Sequence, residues 1–214
     1  MKYRALIFAL AAVMACSCNF NNSDPILYRA SMMGFLQEDG SLKGDDGRTY
    51  VFTNLESGVS WKGAERLMAI FDVTAELVAG ERYSARILAY DFPLYKPVSF
   101  AETPEAADAL GNDPVYYEDG WYSGGCLNMI NTFLHGNPDI THTVSLLVES
   151  LPTSSDTLAV SLKHDAKGDS GESAFTFYSS FPISEYLPEG KSTVLTIKWL
   201  WDDEVHTVSK TIKK

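Results

Sequence analysis

From residue 26 onward the chain consists of short β-favouring runs separated by Gly, Pro, Asn and Asp, and helical periodicity is nearly absent. This pattern restricts the fold more than any other feature, because strands that reverse at tight turns stack into sandwiches or close into barrels. In the first half the runs are 26–36, closed by Glu38-Asp39-Gly40; 48–53, opened by the hairpin signal Asp45-Asp46-Gly47; 66–74; and 82–90. The last alternates cleanly, with Tyr83, Ala85, Ile87 and Ala89 on one face and Arg82, Ser84, Arg86 and Leu88 on the other. Residues 95–100 are expected to add an edge strand, since Pro97 cannot donate to a ladder on both sides. Five short strands in about 75 residues suit a small closed barrel of the OB type over residues 26–100.

Residues 101–112 break the pattern and read as a short helical linker. Thr103 is the expected N-cap, with Pro104 at the first helical position, and Gly111-Asn112-Asp113-Pro114 ends the segment. Residues 113–214 return to β-rich runs at 121–133, 140–151, 157–164, 173–181, 192–201 and 204–212. Glu118-Asp119-Gly120 is expected as a turn, Gly124-Gly125 as a bulge or close backbone approach, and Asp202-Asp203 as the turn of a terminal hairpin. Six or seven strands in about 100 residues predict an antiparallel β-sandwich. In its penultimate strand Leu195, Ile197, Trp199 and Trp201 form the predicted core face. The fold class is therefore all-β: a small OB-like barrel followed by an antiparallel sandwich.

The first residues have a different role. Met1-Lys2-Tyr3-Arg4 is basic, and residues 5–15 are uncharged and apolar. That run is too short for a membrane-spanning helix, which needs about 20 residues, and it has the layout of a signal peptide over residues 1–17. Val13-Met14-Ala15-Cys16-Ser17-Cys18 is similar to a bacterial lipobox, with Cys18 the expected lipidation site and Cys16 the alternative register. The polar stretch from Asn19 to Asp24 reads as a tether, residues 18–25 in all. An N-acylated, diacylated cysteine would anchor the chain stably where one acyl chain would not. The third cysteine, Cys126, lies in an apolar run and reads as a small buried hydrophobe.

Without Lys2 and Arg4 the mature chain has 15 basic and 28 acidic residues, a net charge of −13. Residues 24–110 hold 8 basic against 14 acidic residues, which opposes a phosphate-tracking groove in the barrel and argues against nucleic acid as a partner.

The ordered motifs resemble the NigD-like family, lipoproteins of Bacteroidota with an N-terminal OB domain and a C-terminal β-sandwich. They are the lipobox, the segment Gly44-Asp45-Asp46-Gly47-Arg48-Thr49-Tyr50-Val51-Phe52, then Gly80-Glu81-Arg82-Tyr83. Asn112-Asp113-Pro114 then leads into Asp119-Gly120-Trp121-Tyr122-Ser123-Gly124-Gly125-Cys126-Leu127-Asn128, similar to that family's entry to the sandwich. The resemblance implies the fold and an envelope location, and it carries no established activity and no catalytic residues to transfer to this chain. Cys126 is a mild departure from the family pattern.

Candidate chemistry is sparse. Gly168-Asp169-Ser170-Gly171 matches the nucleophile segment of chymotrypsin-like proteases, but none of His135, His142, His164 and His206 lies in a matching local motif, and the tetrapeptide reads as a solvated hairpin loop. The acidic clusters Asp45-Asp46, Asp165/Asp169/Glu172 and Asp202-Asp203-Glu204 lack the spacing of an EF-hand loop and read as turn chemistry. The histidines are too scattered to suggest a zinc site. No cofactor, metal or catalytic residue is expected. Trp61, Tyr90 and Tyr95 are the candidates for stacking on a ligand, with core packing the competing reading. The function expected is a non-enzymatic binding or scaffolding module in the envelope, membrane-bound by its anchor and with a protein or glycan partner. The alternative is an envelope-polymer hydrolase using the sandwich-loop carboxylates Asp165, Asp169, Asp202 and Glu204.

Overall fold

The structure, a computed structural model, describes residues 25–55, 61, 64–152 and 156–214. The signal peptide, Cys16, Cys18 and all but the end of the tether lie outside these residues. Five strands close a barrel in the order β1-β2-β3-β5-β4: β1 (Tyr28–Leu36), β2 (Leu42–Gly44), β3 (Thr49–Phe52), β4 (Arg66–Val78) and β5 (Arg82–Asp91). Asp45-Asp46-Gly47 turns β2 into β3, with Asp46 Oδ1 accepting the Arg48 amide at 3.0 Å and Gly47 at a φ of 83°. Leu42, Tyr50, Leu67, Phe71, Val73 and Ala85 fill the barrel completely buried. Tyr83 and Ile87 point inward as the alternation requires, but Ala89 is exposed. The β4/β5 ladder shifts register between Ile70 and Phe71, which breaks the period-two rule there.

The sandwich holds two four-stranded sheets, β13-β12-β10-β9 and β6-β11-β8-β7. Its elements are β6 (Leu94–Tyr95), α1 (Pro104–Asp108), β7 (Tyr116–Ser123), β8 (Cys126–His135), β9 (Thr143–Ser150), β10 (Thr157–Asp165), β11 (Ser173–Pro182), β12 (Ser192–Trp201) and β13 (Glu204–Lys213). Pairing is mostly antiparallel, but β12 runs parallel to β10 and β6 parallel to β11. Leu127, Met129, Leu146, Val160, Phe181, Leu195 and Ile197 are at most 1% exposed and form the core between the sheets, while Trp199 and Trp201 are only partly covered at its rim. Asp202 and Asp203 make the terminal turn with φ values of 51° and 61°, the left-handed pair a two-residue hairpin demands.

Two expectations are corrected here. Residues 95–100 are not an edge strand of the barrel. The barrel closes through the β1/β4 ladder and has no free edge to offer, so Leu94 and Tyr95 pair instead with Ser179 and Ser180 of β11, and Ser99 bridges Leu147 of β9. The segment is thus a strap across the open side of the sandwich. Glu118-Asp119-Gly120 is not a turn either. It lies within β7, where a bulge between Tyr117 and Asp119 absorbs the extra residue and Lys210 Nζ donates to Asp119 Oδ1 at 2.6 Å. The helix is shorter than residues 101–110 suggested, although Thr103 does cap it, accepting the Ala106 amide at 3.2 Å.

Candidate functional site

Barrel and sandwich meet at a buried polar junction. Arg66 opens β4 and is 1% exposed. Its Nη1 and Nη2 donate to the two oxygens of Asp45 at 3.0 and 2.6 Å, a bidentate pair set by the β2–β3 turn. Its Nε donates to Ser180 Oγ at 2.6 Å, Nη2 also donates to Asn128 Oδ1 at 3.0 Å, and its guanidinium lies over the Phe35 ring, 4.5 Å from the centroid. From the sandwich, Ser123 Oγ donates to Asp45 Oδ2 at 2.6 Å, and Ser180 Oγ to Asn128 Oδ1 at 2.7 Å. Gly124 and Gly125, at φ 58° and 80°, turn β7 into β8 directly against Asp45, and a Cβ at Gly124 would collide with that carboxylate. The stretch from Ser123 to Asn128 that marks the sandwich entry is therefore the sandwich's half of an interdomain clamp, with Asp45 and Arg66 as the barrel's half. Cys126 is buried beside it, and burial pushes its thiol pKa up.

A few residues away the same junction is open. A cleft of ≈ 710 Å³ lies between the end of β5 and the outer edge of β11, lined by Phe92, Leu94, Phe133, Ile140, Phe175 and Phe177 with Lys96, His135 and His142. The strap sets its lower limit. Lys96 Nζ donates to the Val144 carbonyl at 2.9 Å and to Ser145 Oγ at 3.0 Å, and its pKa is lowered by burial. At the upper end Phe133 stacks on His142 and His164, with centroids 4.5 and 4.8 Å apart.

Those histidines belong to a hydrogen-bonded chain. His164 Nδ1 faces the Pro114 carbonyl at 2.8 Å, His164 Nε2 faces His142 Nδ1 at 3.0 Å, and His142 Nε2 faces Asp169 Oδ2 at 3.0 Å. Both ring nitrogens of each histidine are thus engaged, and the chain is continuous from the Pro114 carbonyl to the Asp169 carboxylate. Asp169 also accepts from the Gly136 amide at 2.9 Å and the Asn137 amide at 3.1 Å; these amides, Gly136 foremost, hold its pKa below the ordinary carboxylate range and keep it ionised. Burial lowers the pKa of His164 and keeps that ring neutral. The Gly168–Gly171 loop, expected to be solvated, has its Asp169 side chain only 5% exposed, because that carboxylate is the anchor of the loop carrying Gly136. The chain links residues 22 and 27 positions apart, a grouping no local motif announces.

Of the three expected stacking residues, Trp61 and Tyr90 come together, with centroids 5.3 Å apart, and Phe92 completes the cluster at 6.0 and 5.6 Å. Tyr90 and Phe92 are 48% and 45% exposed, whereas Trp61 also packs on the barrel core. Tyr95 lies elsewhere, edge-on to Phe35 at 5.7 Å and partly buried in the junction. Phe92, which sequence reasoning missed, links the cluster to the cleft. The carboxylates considered for hydrolysis are spread out. Asp165 pairs with Lys167, Asp169 serves the histidine chain, and Asp202 and Glu204 are exposed on the β12–β13 hairpin. The Asp113 amide donates to the His164 carbonyl and the Val115 amide to the Leu200 carbonyl, both at 2.9 Å, so a chain segment lies between the ends of β10 and β12. Among the described residues no group of three or more His, Cys, Asp or Glu is placed to hold a metal ion.

A barrel and a sandwich locked by a buried ion pair define a two-domain all-β protein with an open cleft at the junction. The chain belongs to the NigD-like family: the family model for the NigD-like C-terminal beta sandwich domain matches residues 97–213. That match begins inside the strap, in keeping with its place in the sandwich. A Bacteroides vulgatus protein of unknown function shares the fold at a TM-score of 0.70 and 20% identity, over 87% of this chain and 92% of that one. A NigD-like immunity protein from Bacteroides caccae superposes at a TM-score of 0.60 and 22% identity, over 88% and 94%. A putative lipoprotein from Bacteroides fragilis does so at a TM-score of 0.61 and 12% identity, over 86% and 96%. Among curated proteins none matches by sequence.

Proposed function

We propose that this chain is a lipid-anchored protein of the cell envelope, held at the outer membrane through Cys18 (or Cys16 in the other register), that binds a protein or glycan partner without catalysing a reaction. The observation that carries the binding reading is the aromatic cleft beside exposed Tyr90 and Phe92, which pack on Trp61. A large apolar concavity with a few convergent polar groups is the usual form of a ligand site, and contiguous exposed aromatic surface marks an interaction site. The clamp fixes the barrel's contribution to the cleft relative to the sandwich's, which preorganises the site. The leader and lipobox support the anchor, and one structural relative carries the name of putative lipoprotein. A hydrolase would need two carboxylates about 5–10 Å apart in one cleft, and the sandwich-loop carboxylates are engaged or set on separate turns.

Two measurements test the reading. Labelling with an alkyne fatty acid is expected to be lost in Cys18→Ala and in the double Cys16→Ala/Cys18→Ala variant; label retained in the double variant would remove the anchor. A photo-crosslinker at Phe175 of the full chain, in intact envelope membranes, is expected to trap a partner that the same group at exposed Val205 does not. Equal or absent trapping at the two positions would count against the cleft as a binding site.

A further inference from the structure

The cleft has the form of an unfilled strand position. β11 pairs with β8 along its whole length, from Ser173↔His135 to Pro182↔Cys126. On its other side it meets only the two residues of β6, at Ser179 and Ser180. Among the described residues, no strand pairs with the outer edge of β11 from Ser173 to Tyr178. In a strand paired on one side only, alternate residues direct their N–H and C=O groups outward, and such a row templates pairing with another chain. Four consecutive residues of this edge, Phe175 to Tyr178, line the cleft, so the opening runs along the backbone and not over one face alone. The strap already occupies the lower part of the same track, and the chain enters it from β5 at Asp91 and Phe92, leaving the upper part vacant.

Resting on the binding function proposed above, we infer that the partner is an extended polypeptide segment that adds as a strand to the Ser173–Tyr178 edge, continuing the line of β6. Main-chain hydrogen bonds would give it affinity, and pockets for alternate side chains would give specificity. On one side the partner's side chains meet Phe92, Phe133, Phe175 and Phe177, which calls for apolar residues at every second position. The rim supplies the charge requirement. Asp91 lines the cleft, Asp139 is exposed between the lining residues Pro138 and Ile140, and exposed Glu172 directly precedes the open edge. Lys96, the lysine among the lining residues, is already committed to the Val144 carbonyl and Ser145 Oγ. Basic residues flanking the apolar alternation would complement that rim. A glycan would use the aromatic faces but has no use for a row of free backbone amides, and for this reason a polypeptide is the occupant the edge favours.

A random heptapeptide display library panned against the full chain tests this, followed by titration of the synthetic consensus peptide. The expected result is enrichment of apolar residues at alternate positions flanked by Lys or Arg. Affinity should fall about tenfold or more on N-methylation of alternate peptide amides, which removes ladder donors and keeps the side chains. Phe175→Lys, which puts a charge at the half-exposed edge, should produce a similar loss, and bound peptide should slow amide exchange within Ser173–Tyr178. Peptides that bind equally well when N-methylated at every position would overturn strand addition. If no peptide is enriched over the Phe175→Lys variant while a purified envelope polysaccharide binds, the polypeptide proposal fails and the binding function stands. If neither binds, both fail. A concentration-dependent dimer in sedimentation velocity, dissolved by Phe175→Lys, would assign the edge to a second copy of this chain and equally overturn the proposal.

Discussion

The clamp and the cleft lie at the same domain junction and meet opposite fates. At the clamp every charged group is paired: Arg66 engages Asp45, Asn128 and Ser180 and rests on Phe35, with no side-chain surface left to solvent. At the cleft, Ser173 to Tyr178 of β11 ladder with β8 on one side and, among the described residues, pair with no strand on the other, and Phe175 is 49% exposed. Both regions are built from short β elements of similar composition. The difference is that only two residues of the strap pair with β11, at the point where the chain has just left the closed barrel at the end of β5. Closure of one domain thus leaves an open edge in the other, and buried complementarity at the clamp holds that edge in a fixed place.

The contrast can be broken at its strongest point first. Asp45→Ala leaves the Arg66 charge buried without its partner, and a loss of about 3–5 kcal/mol in denaturant-midpoint measurements is expected. The double variant Asp45→Ala/Arg66→Ala should lose less than the sum of the two single changes, because the pair acts as a unit. Gly124→Ala puts a side chain at a left-handed backbone position and against Asp45, with an expected loss of about 1–3 kcal/mol by the same measurement. If either substitution were silent, the clamp would not be what joins the domains.

The histidine chain sharpens the comparison through pH. The Asp169 pKa is depressed in the folded protein, so its contribution to stability is present above the unfolded carboxylate range of about 4 and disappears as pH falls through the lower folded value. The His164 pKa is also depressed, so folding excludes a proton that the unfolded ring accepts, and stability declines as pH falls below about 6.5. Both act in the same direction. Asp169→Asn should flatten the most acidic limb of the stability profile and leave the His164 limb in place. The smallest change is expected at the cleft, where Phe175→Lys should alter stability by about 1 kcal/mol or less, since half-exposed positions away from caps and networks are usually tolerant.

Much of this fold was legible in the sequence where local chemistry and tertiary pairing agree. The Asp45-Asp46-Gly47 hairpin, the Thr103 cap, the Asp202-Asp203 turn and the inward set of Leu195 and Ile197 all follow from residues close together in the chain. What could not be read depends on distant pairing. A two-residue strand such as Leu94–Tyr95 has no period of its own, and its partner β11 lies far along the chain. Glu118-Asp119-Gly120 has turn composition but is held extended by β8. At the site, Trp61 and Tyr90 were visible as aromatics, whereas Phe92 becomes a member only because β5 ends where the strap begins. The Gly-Gly hairpin pointed to a close approach, and its other side proved to be Asp45, in the other domain.

Amide hydrogen exchange along β11 in the free protein tests the central contrast most directly. The amides from Ser179 to Phe181, and those of the paired β8 residues, should exchange slowly, while between Ser173 and Tyr178 fast and slow amides should alternate, the fast ones facing the cleft. Uniform protection from Ser173 to Phe181 would mean the edge is already occupied, and would contradict the open strand position on which the binding site is built.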